Sequence, residues 1–317
     1  MYYNKLLTAL FLIVTMNSCA QEKGKQNKKV MEKEIVEFQS RMYDKIKKFD
    51  KRPLYSLQVN KNNCRGLVLC NDIPHWLTFY ENYGESMSLY LNNYIPKSGT
   101  QMIIVQVFPK EGEEYIAANA DLDLKVWYAA DKDEGVDAHR VLASAELPED
   151  IGDRKLKYFE IKIPFKARVP FDFSKDLENA QALKNIADIE QKVVKKYQQL
   201  KELLVKGDGL SFAKEFEYSD LKSCTYLYAN KAELIAVDKR DNADINRARL
   251  DVKNRRVHPI ANYEMVFFAG GKLVLLRTAK GKKDMLRLEY DTEAGTDGDE
   301  KPAILYLPAG STELKVW

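Results

Sequence analysis

The chain has 317 residues, 45% hydrophobic and 31% charged, with three His, four Cys and a formal net charge of +3. This composition excludes a disordered, collagenous or disulfide-scaffold chain. At about 150 residues per domain, the length suggests two domains, each able to bury a core of its own.

The first segments concern address. Lys5 precedes the mostly apolar run Leu6 to Val14, far short of the about 20 residues that span a bilayer, so residues 1–18 read as a signal peptide. Met16-Asn17-Ser18-Cys19 follows, with a small residue directly before a cysteine at the usual cleavage distance. This tetrapeptide resembles the lipobox of bacterial lipoproteins, with Met16 where Leu is commonest and Asn17 where a smaller residue is usual. The resemblance implies cleavage before Cys19, diacylglycerol on its thiol and an acyl chain such as palmitate on its new amino terminus. Several chains make a durable anchor, since each buried methylene contributes about 0.8 kcal/mol. Ala20 stands where Asp would resemble an inner-membrane retention signal, and residues 21–29 lack the acidic cluster of some surface-exported lipoproteins. The expected address is therefore the outer membrane, on its periplasmic face.

Residues 1–52 carry twelve Lys or Arg against six Asp or Glu, whereas residues 53–317 carry 38 against 41. The basic excess thus lies beside the membrane, partly in the lipidated tether 19–30, where each Lys near anionic headgroups contributes about 1 kcal/mol. No stripe of Arg with interleaved aromatics occurs in the body of the chain, which argues against a nucleic-acid partner. Ile35, Phe38, Met42, Ile46 and Phe49 recur at steps of three and four, predicting an amphipathic helix over 31–50. Such a helix either lies on the membrane surface or packs against the first domain.

From Pro53 the period becomes two. Runs at Leu54 to Val59, Gly66 to Leu69, Trp76 to Tyr80, Met87 to Leu91, Gln101 to Phe108, Leu122 to Val126, Arg140 to Ala145 and Tyr158 to Ile163 predict about eight short strands, an antiparallel β-sandwich over 53–170. Within it, Leu91-Asn92-Asn93-Tyr94-Ile95-Pro96-Lys97-Ser98-Gly99 and the following strand resemble a segment common in jelly-roll domains attached to some glycoside hydrolases. The resemblance implies a jelly-roll-like sandwich and bears on fold alone. Cys64, Cys70 and Cys224 accompany Cys19 in a compartment that permits disulfides. A Cys64–Cys70 bridge would require a tight turn at Arg65-Gly66, and buried thiols acting as small apolar side chains are the preferred reading.

After Pro170, apolar residues from Leu177 to Leu204 keep helical spacing as far as Gly207-Asp208-Gly209, a stop signal. A second helical region is expected from Asp220 to Val252, broken near Asp241-Asn242. Strands at Tyr263 to Phe268, Lys272 to Thr278, Met285 to Tyr290 and Ala303 to Leu307, with a hairpin at Gly270-Gly271, make 175–317 an α+β domain with an antiparallel meander. The whole is expected to be of mixed α and β class.

Catalytic motifs are absent. His75, His139 and His258 are isolated, no HExxH or GxSxG occurs, and Gly270-Gly271-Lys272 joins two strands rather than opening a helix. Asp121 and Asp123 share one strand face, as solvated carboxylates do. The acidic loops Asp131 to Asp137 and Asp291 to Glu300, which could wrap Ca²⁺, lack EF-hand spacing. No cofactor, metal or catalytic residue is expected. Aromatic density between His75 and Tyr94 is the feature most suggestive of binding, although burial in the sandwich core is the preferred reading of these residues. Trp76, Tyr80, Tyr83 and Tyr90 are the candidate residues, Trp76 and Tyr80 forming a flat platform opposite Leu77 and Phe79 if that face is exposed. The expected function is a non-catalytic envelope lipoprotein that binds a protein partner, for instance an immunity protein capturing a delivered toxin. The alternative is a carbohydrate-binding surface on the aromatic face of the sandwich. A hydrolase would need two carboxylates facing one cleft, one with a raised pKa.

Overall fold

A computed structural model describes residues 30–79, 84–241, 253–292 and 295–317. The signal peptide, Cys19 and nearly all of the tether lie outside these residues. The class is mixed α and β, and the strand pairings among the described residues are antiparallel.

Helix α1 spans residues 30–43. Its stripe of Ile35, Phe38 and Met42 is buried, so the helix packs on the protein, and Lys45 and Asp44 just beyond it reach Glu217 and Lys231 at 2.5 Å each. The expected continuation to residue 50 does not occur: Phe49 leaves the helix and sets its ring edge-on against Phe171 and Tyr228.

Eight strands follow: β1 (Leu54–Asn62), β2 (Arg65–Cys70), β3 (Ile73–Phe79), β4 (Glu85–Tyr90), β5 (Gly99–Phe108), β6 (Asp121–Ala129), β7 (Arg140–Glu146) and β8 (Phe159–Ala167). They form two four-stranded sheets ordered β4-β1-β6-β7 and β3-β2-β5-β8. The β2–β3 and β6–β7 connections are hairpins within a sheet, and the other connections between consecutive strands cross from one sheet to the other. Alternation dictates the arrangement. Tyr55, Leu57 and Val59 of β1, Leu122, Leu124 and Val126 of β6, and Ile103, Val105 and Val107 of β5 all enter one shared core. Each such residue contributes about 1.5–3 kcal/mol by leaving water.

The outer faces differ. On β1 the outward residues are Ser56, Gln58 and Asn60, half-buried and polar. On β2 the run from Gly66 to Cys70 is buried throughout, as a strand covered on both faces must be. Its cover comes from the second half of the chain, with Phe268 and Leu275 joining the same core. One sheet is therefore sandwiched between layers, and the other presents a face to solvent.

The long helix expected from Leu177 to Leu204 is broken. Helix α2 (Ser174–Glu178) is one turn and a 3-10 turn follows at Leu183–Asn185, before α3 (Ile189–Lys206) begins after Asp188 in the left-handed region at φ 56°. Leu183 keeps the apolar spacing because it is a buried anchor of a turn rather than a helical residue. Gly207 caps α3 at φ 67°, and Asp208 caps the next helix by accepting from the Ser211 amide at 3.0 Å. One Gly-Asp-Gly run thus ends a helix and starts another, so α4 (Gly209–Tyr226) begins earlier than expected, and a break separates it from α5 (Lys231–Asp241); the stretch from Asn242 to Val252, with the break expected near Asp241-Asn242, lies outside the described residues.

The remaining strands are β9 (Lys253–Val257), β10 (Tyr263–Phe268), β11 (Leu273–Thr278), β12 (Arg287–Thr292), β13 (Gly295–Glu300), β14 (Leu305–Tyr306) and β15 (Lys315–Val316), in sheets β10-β11-β14-β15 and β13-β12-β9. The β10–β11 hairpin turns at Gly270 and Gly271, both with positive φ. A second core joins α3 and α4 to β11, β14 and β15 around the buried Tyr197, whose hydroxyl donates to the Ala303 carbonyl at 2.6 Å and accepts from the Leu276 amide at 3.0 Å.

Candidate functional site

Of the candidate aromatic residues Trp76, Tyr80, Tyr83 and Tyr90, only Tyr90 has a described side chain. Trp76 lies on β3 and its side chain is not among those described; Tyr80 and Tyr83 lie outside the described residues. Tyr94 turns inward, 8% exposed, with its ring 4.9 Å from that of buried His75. Burial lowers the His75 pKa to about 4, which keeps the imidazole neutral. Tyr90 is 53% exposed on β4, and cross-strand register gives it other neighbours. Ser56 of β1 pairs with Tyr90 on one side and Trp127 of β6 on the other, and Trp127 pairs with Val141 of β7. Tyr90, Ser56, Trp127 and Val141 therefore form a row across all four strands of the solvent-facing sheet. The next row is Ser88, Gln58, Lys125 and Ser144, and the Trp127 indole donates to Gln58 Oε1 at 3.1 Å.

The row ends at β7, the edge strand of this sheet, which lies alongside β8 of the other sheet. Val141 and Leu142 of β7 are exposed, as is Val136 in the turn before it. Edge strands are ordinarily shielded by charge, above all by Lys, or by Pro. Edge strand β8 follows that rule with Lys162 and Lys166 pointing out, whereas β7 reads Val141-Leu142-Ala143-Ser144-Ala145 through its middle. Trp127 was legible in principle, since Asp123, Lys125 and Trp127 share one phase of the strand opposite Leu122, Leu124 and Val126.

A cleft of about 390 Å³ lies against α4 on the other half of the molecule. Its walls are apolar, with Phe212, Phe216 and Leu227 from α4 and its end facing Pro302, Ile304 and Trp317. Lys222 opens onto it and is 8% exposed. Its ammonium lies 3.9 Å from the centroid of the Trp317 ring, with Phe173 at 5.8 Å and Tyr218 at 5.9 Å. Burial lowers its pKa to about 7, opposed in part by Asp176, a carboxylate that accepts from the Tyr218 hydroxyl at 2.9 Å.

Other clusters have structural explanations. His258 Nε2 lies 2.7 Å from Glu289 and Nδ1 lies 3.2 Å from an Arg287 nitrogen, so both ring nitrogens are engaged. Asp121 and Asp123 sit on the outer face of β6, with Asp123 held by Lys125 and Asn60. The loop from Asp131 is closed by Arg52, which reaches Asp131 at 2.6 Å and Asp133 at 2.8 Å, leaving no cation cradle. Asp291 to Glu300 is not a loop but the β12–β13 hairpin, with Asp291 paired across to Thr296. Among the described residues, no group of three or more His, Cys, Asp or Glu is placed to hold a metal ion, and no helix is long and apolar enough to cross a membrane.

Cys64 and Cys70 are unbridged, because β2 runs extended between them and leaves both buried. Burial raises the Cys64 pKa to about 11 and pushes the Cys70 thiol up further. In the folded protein a thiol-specific disulfide reagent is therefore expected to modify half-buried Cys224 well before Cys64 or Cys70, which should react on unfolding. Rapid native labelling of Cys64 or Cys70 would contradict this burial.

No known protein family, curated protein or solved structure matches the chain.

Proposed function

We propose that the chain is a non-catalytic, lipid-anchored envelope protein that recognises a polypeptide partner on the outer face and edge strand β7 of the sheet β4-β1-β6-β7. In this reading Cys19 carries the anchor at the outer membrane, residues 53–170 form a jelly-roll-like β-sandwich, and residues 175–317 back it as an α+β domain. The observation that carries it is the row Tyr90, Trp127 and Val141 ending at edge strand β7. An extended segment added to β7 would satisfy its outward main-chain groups and continue the apolar row. Immunity against a delivered toxin is one role that such a surface could serve.

The test is crosslinked capture by the natively lipidated protein, with a Cys19→Ala control that should leave the membrane fraction. Trp127→Ala is expected to weaken partner capture by about tenfold or more, as loss of a central aromatic anchor does. Val141→Lys, which restores the missing edge charge, should weaken it comparably. Capture unaffected by either substitution would reject this surface.

A second reading, glycan binding, is favoured by one arrangement: Tyr90 and Trp127 flank Ser56 above the amide and hydroxyls of Gln58, Ser88 and Ser144. It predicts enriched polysaccharide, lost with Trp127→Ala and retained with Val141→Lys.

A further inference from the structure

The cleft beside α4 holds a charge that its own walls do not balance. Lys222 is more than nine-tenths buried, and among the described residues no oxygen accepts from its ammonium; its contacts are the faces of Trp317, Phe173 and Tyr218. Ring faces return part of the cost of removing a cation from water, whereas a hydrogen-bonded anion returns more. Asp176 acts on Lys222 from α2 but is held by Tyr218, and the other charged residues of the cleft, Asp220 and Lys301, are opposite in sign. Two more buried polar atoms belong to residues of the same cleft: Trp317 Nε1, a donor, and Asn93 Oδ1, an acceptor, have no partner among the described residues. Buried polar atoms in native proteins are almost always paired. An apolar cavity of this size with a few convergent polar groups is the usual form of a small-molecule site.

We propose that this cleft binds a small apolar carboxylate, with the acid group on Lys222 and the hydrocarbon body against Phe212 and Phe216. The site is separate from the sheet face described above, and either proposal can fail without the other. The chemistry selects the ligand: a neutral apolar molecule would leave the ammonium unpaired, and a polyanion would carry excess charge into an apolar cavity.

The probe is 4-phenylbutyrate, titrated into the full chain at pH 6.5 and followed by calorimetry and tryptophan fluorescence. Saturable 1:1 binding is expected, about tenfold or more weaker for 4-phenylbutyramide, which has the same shape without the charge. Lys222→Met keeps the apolar stem and should lose binding of the acid by a similar factor while remaining folded by circular dichroism. Leu227→Trp fills the cleft, leaves Lys222 in place and should also abolish binding. For the unsubstituted chain, affinity should fall by about tenfold or more between pH 6.5 and 9 as Lys222 releases its proton. The proposal is overturned if the amide binds as tightly as the acid, if the folded Lys222→Met protein retains affinity, or if the folded unsubstituted chain shows no saturable binding of 4-phenylbutyrate, decanoate or indole-3-acetate at millimolar concentration.

Discussion

Replacing Asn92 by leucine is expected to destabilise the protein by about 3–5 kcal/mol, although the two side chains are similar in size. Asn92 is fully buried in the 3-10 turn Asn92–Tyr94, between β4 and β5. Its Oδ1 accepts from the Tyr55 amide and its Nδ2 donates to the Pro53 carbonyl, both at 2.9 Å. These main-chain groups lie where the chain enters β1. Leucine fills the space but cannot pair with either, and each buried orphan costs about 1–3 kcal/mol. The neighbouring Asn93→Ala is the control. The Asn93 amide donates to Ser223 Oγ at 3.2 Å, a half-buried bond worth about 1 kcal/mol. Urea unfolding of both variants checks the difference. Equal losses would mean that Asn92 does not lock the entry to β1.

That lock lies in the very segment that the sequence singled out, and its visibility has a physical basis. Leu91 and Ile95 are fully buried and Pro96 shapes the turn into β5, so the run carries both its apolar anchors and its turn chemistry in one short stretch. Strands β1, β2, β5, β6 and β8 of the first half were legible for the same reason: each buries one face, or in β2 both faces, and hydrophobic period reports burial directly. The strands β9 and β13 were not. Lys253–Val257 and Gly295–Glu300 carry almost no apolar side chains and gain order from pairing with β12, where Arg256 meets both Glu289 and Asp291. A hairpin edge of this kind reads as an acidic loop. The helix break before α3 was hidden because buried turn anchors imitate helical spacing. The site residues divide similarly. Tyr90 is exposed as its strand phase suggests, but its partnership with Trp127 depends on β1 passing between two strands distant in the chain. Lys222 has no sequence signal at all: a lysine in an amphipathic helix reads as solvated until Phe173 of the α2 approach and Trp317 beyond β15 close around it.

The same burial makes an expected pH dependence separable from that of other groups. Lys222 has a folded pKa lowered to about 7, against 10.5 when exposed. Above about pH 7.5 the folded protein has shed this proton while the unfolded chain still holds it, so stability rises with pH. The contribution of Lys222 is about 2 kcal/mol between pH 7.5 and 9. Asp284, raised to about 7 chiefly by burial, acts in the opposite direction but at lower pH: its folded form keeps a proton that the unfolded chain has lost, so stability falls as pH rises from about 4 to about 7. His75 is neutral in both states above pH 7.5, its unfolded value being 6.5. The buried thiols Cys64 and Cys70, whose ordinary value is 9, oppose the rise by about 0.8 kcal/mol over the same window, because the unfolded chain begins to lose these protons from about pH 8. Lys222 is the group that makes stability rise between pH 7.5 and about 9. Urea unfolding across this window should show a net rise of about 1 kcal/mol in the unsubstituted chain, whereas Lys222→Met should be more stable at pH 7 and lose stability slightly toward pH 9. A rise that survives Lys222→Met would place the titrating group elsewhere. Because a bound carboxylate holds the ammonium form, saturating 4-phenylbutyrate should move the onset of the rise to higher pH, an effect that a merely caged lysine would not produce.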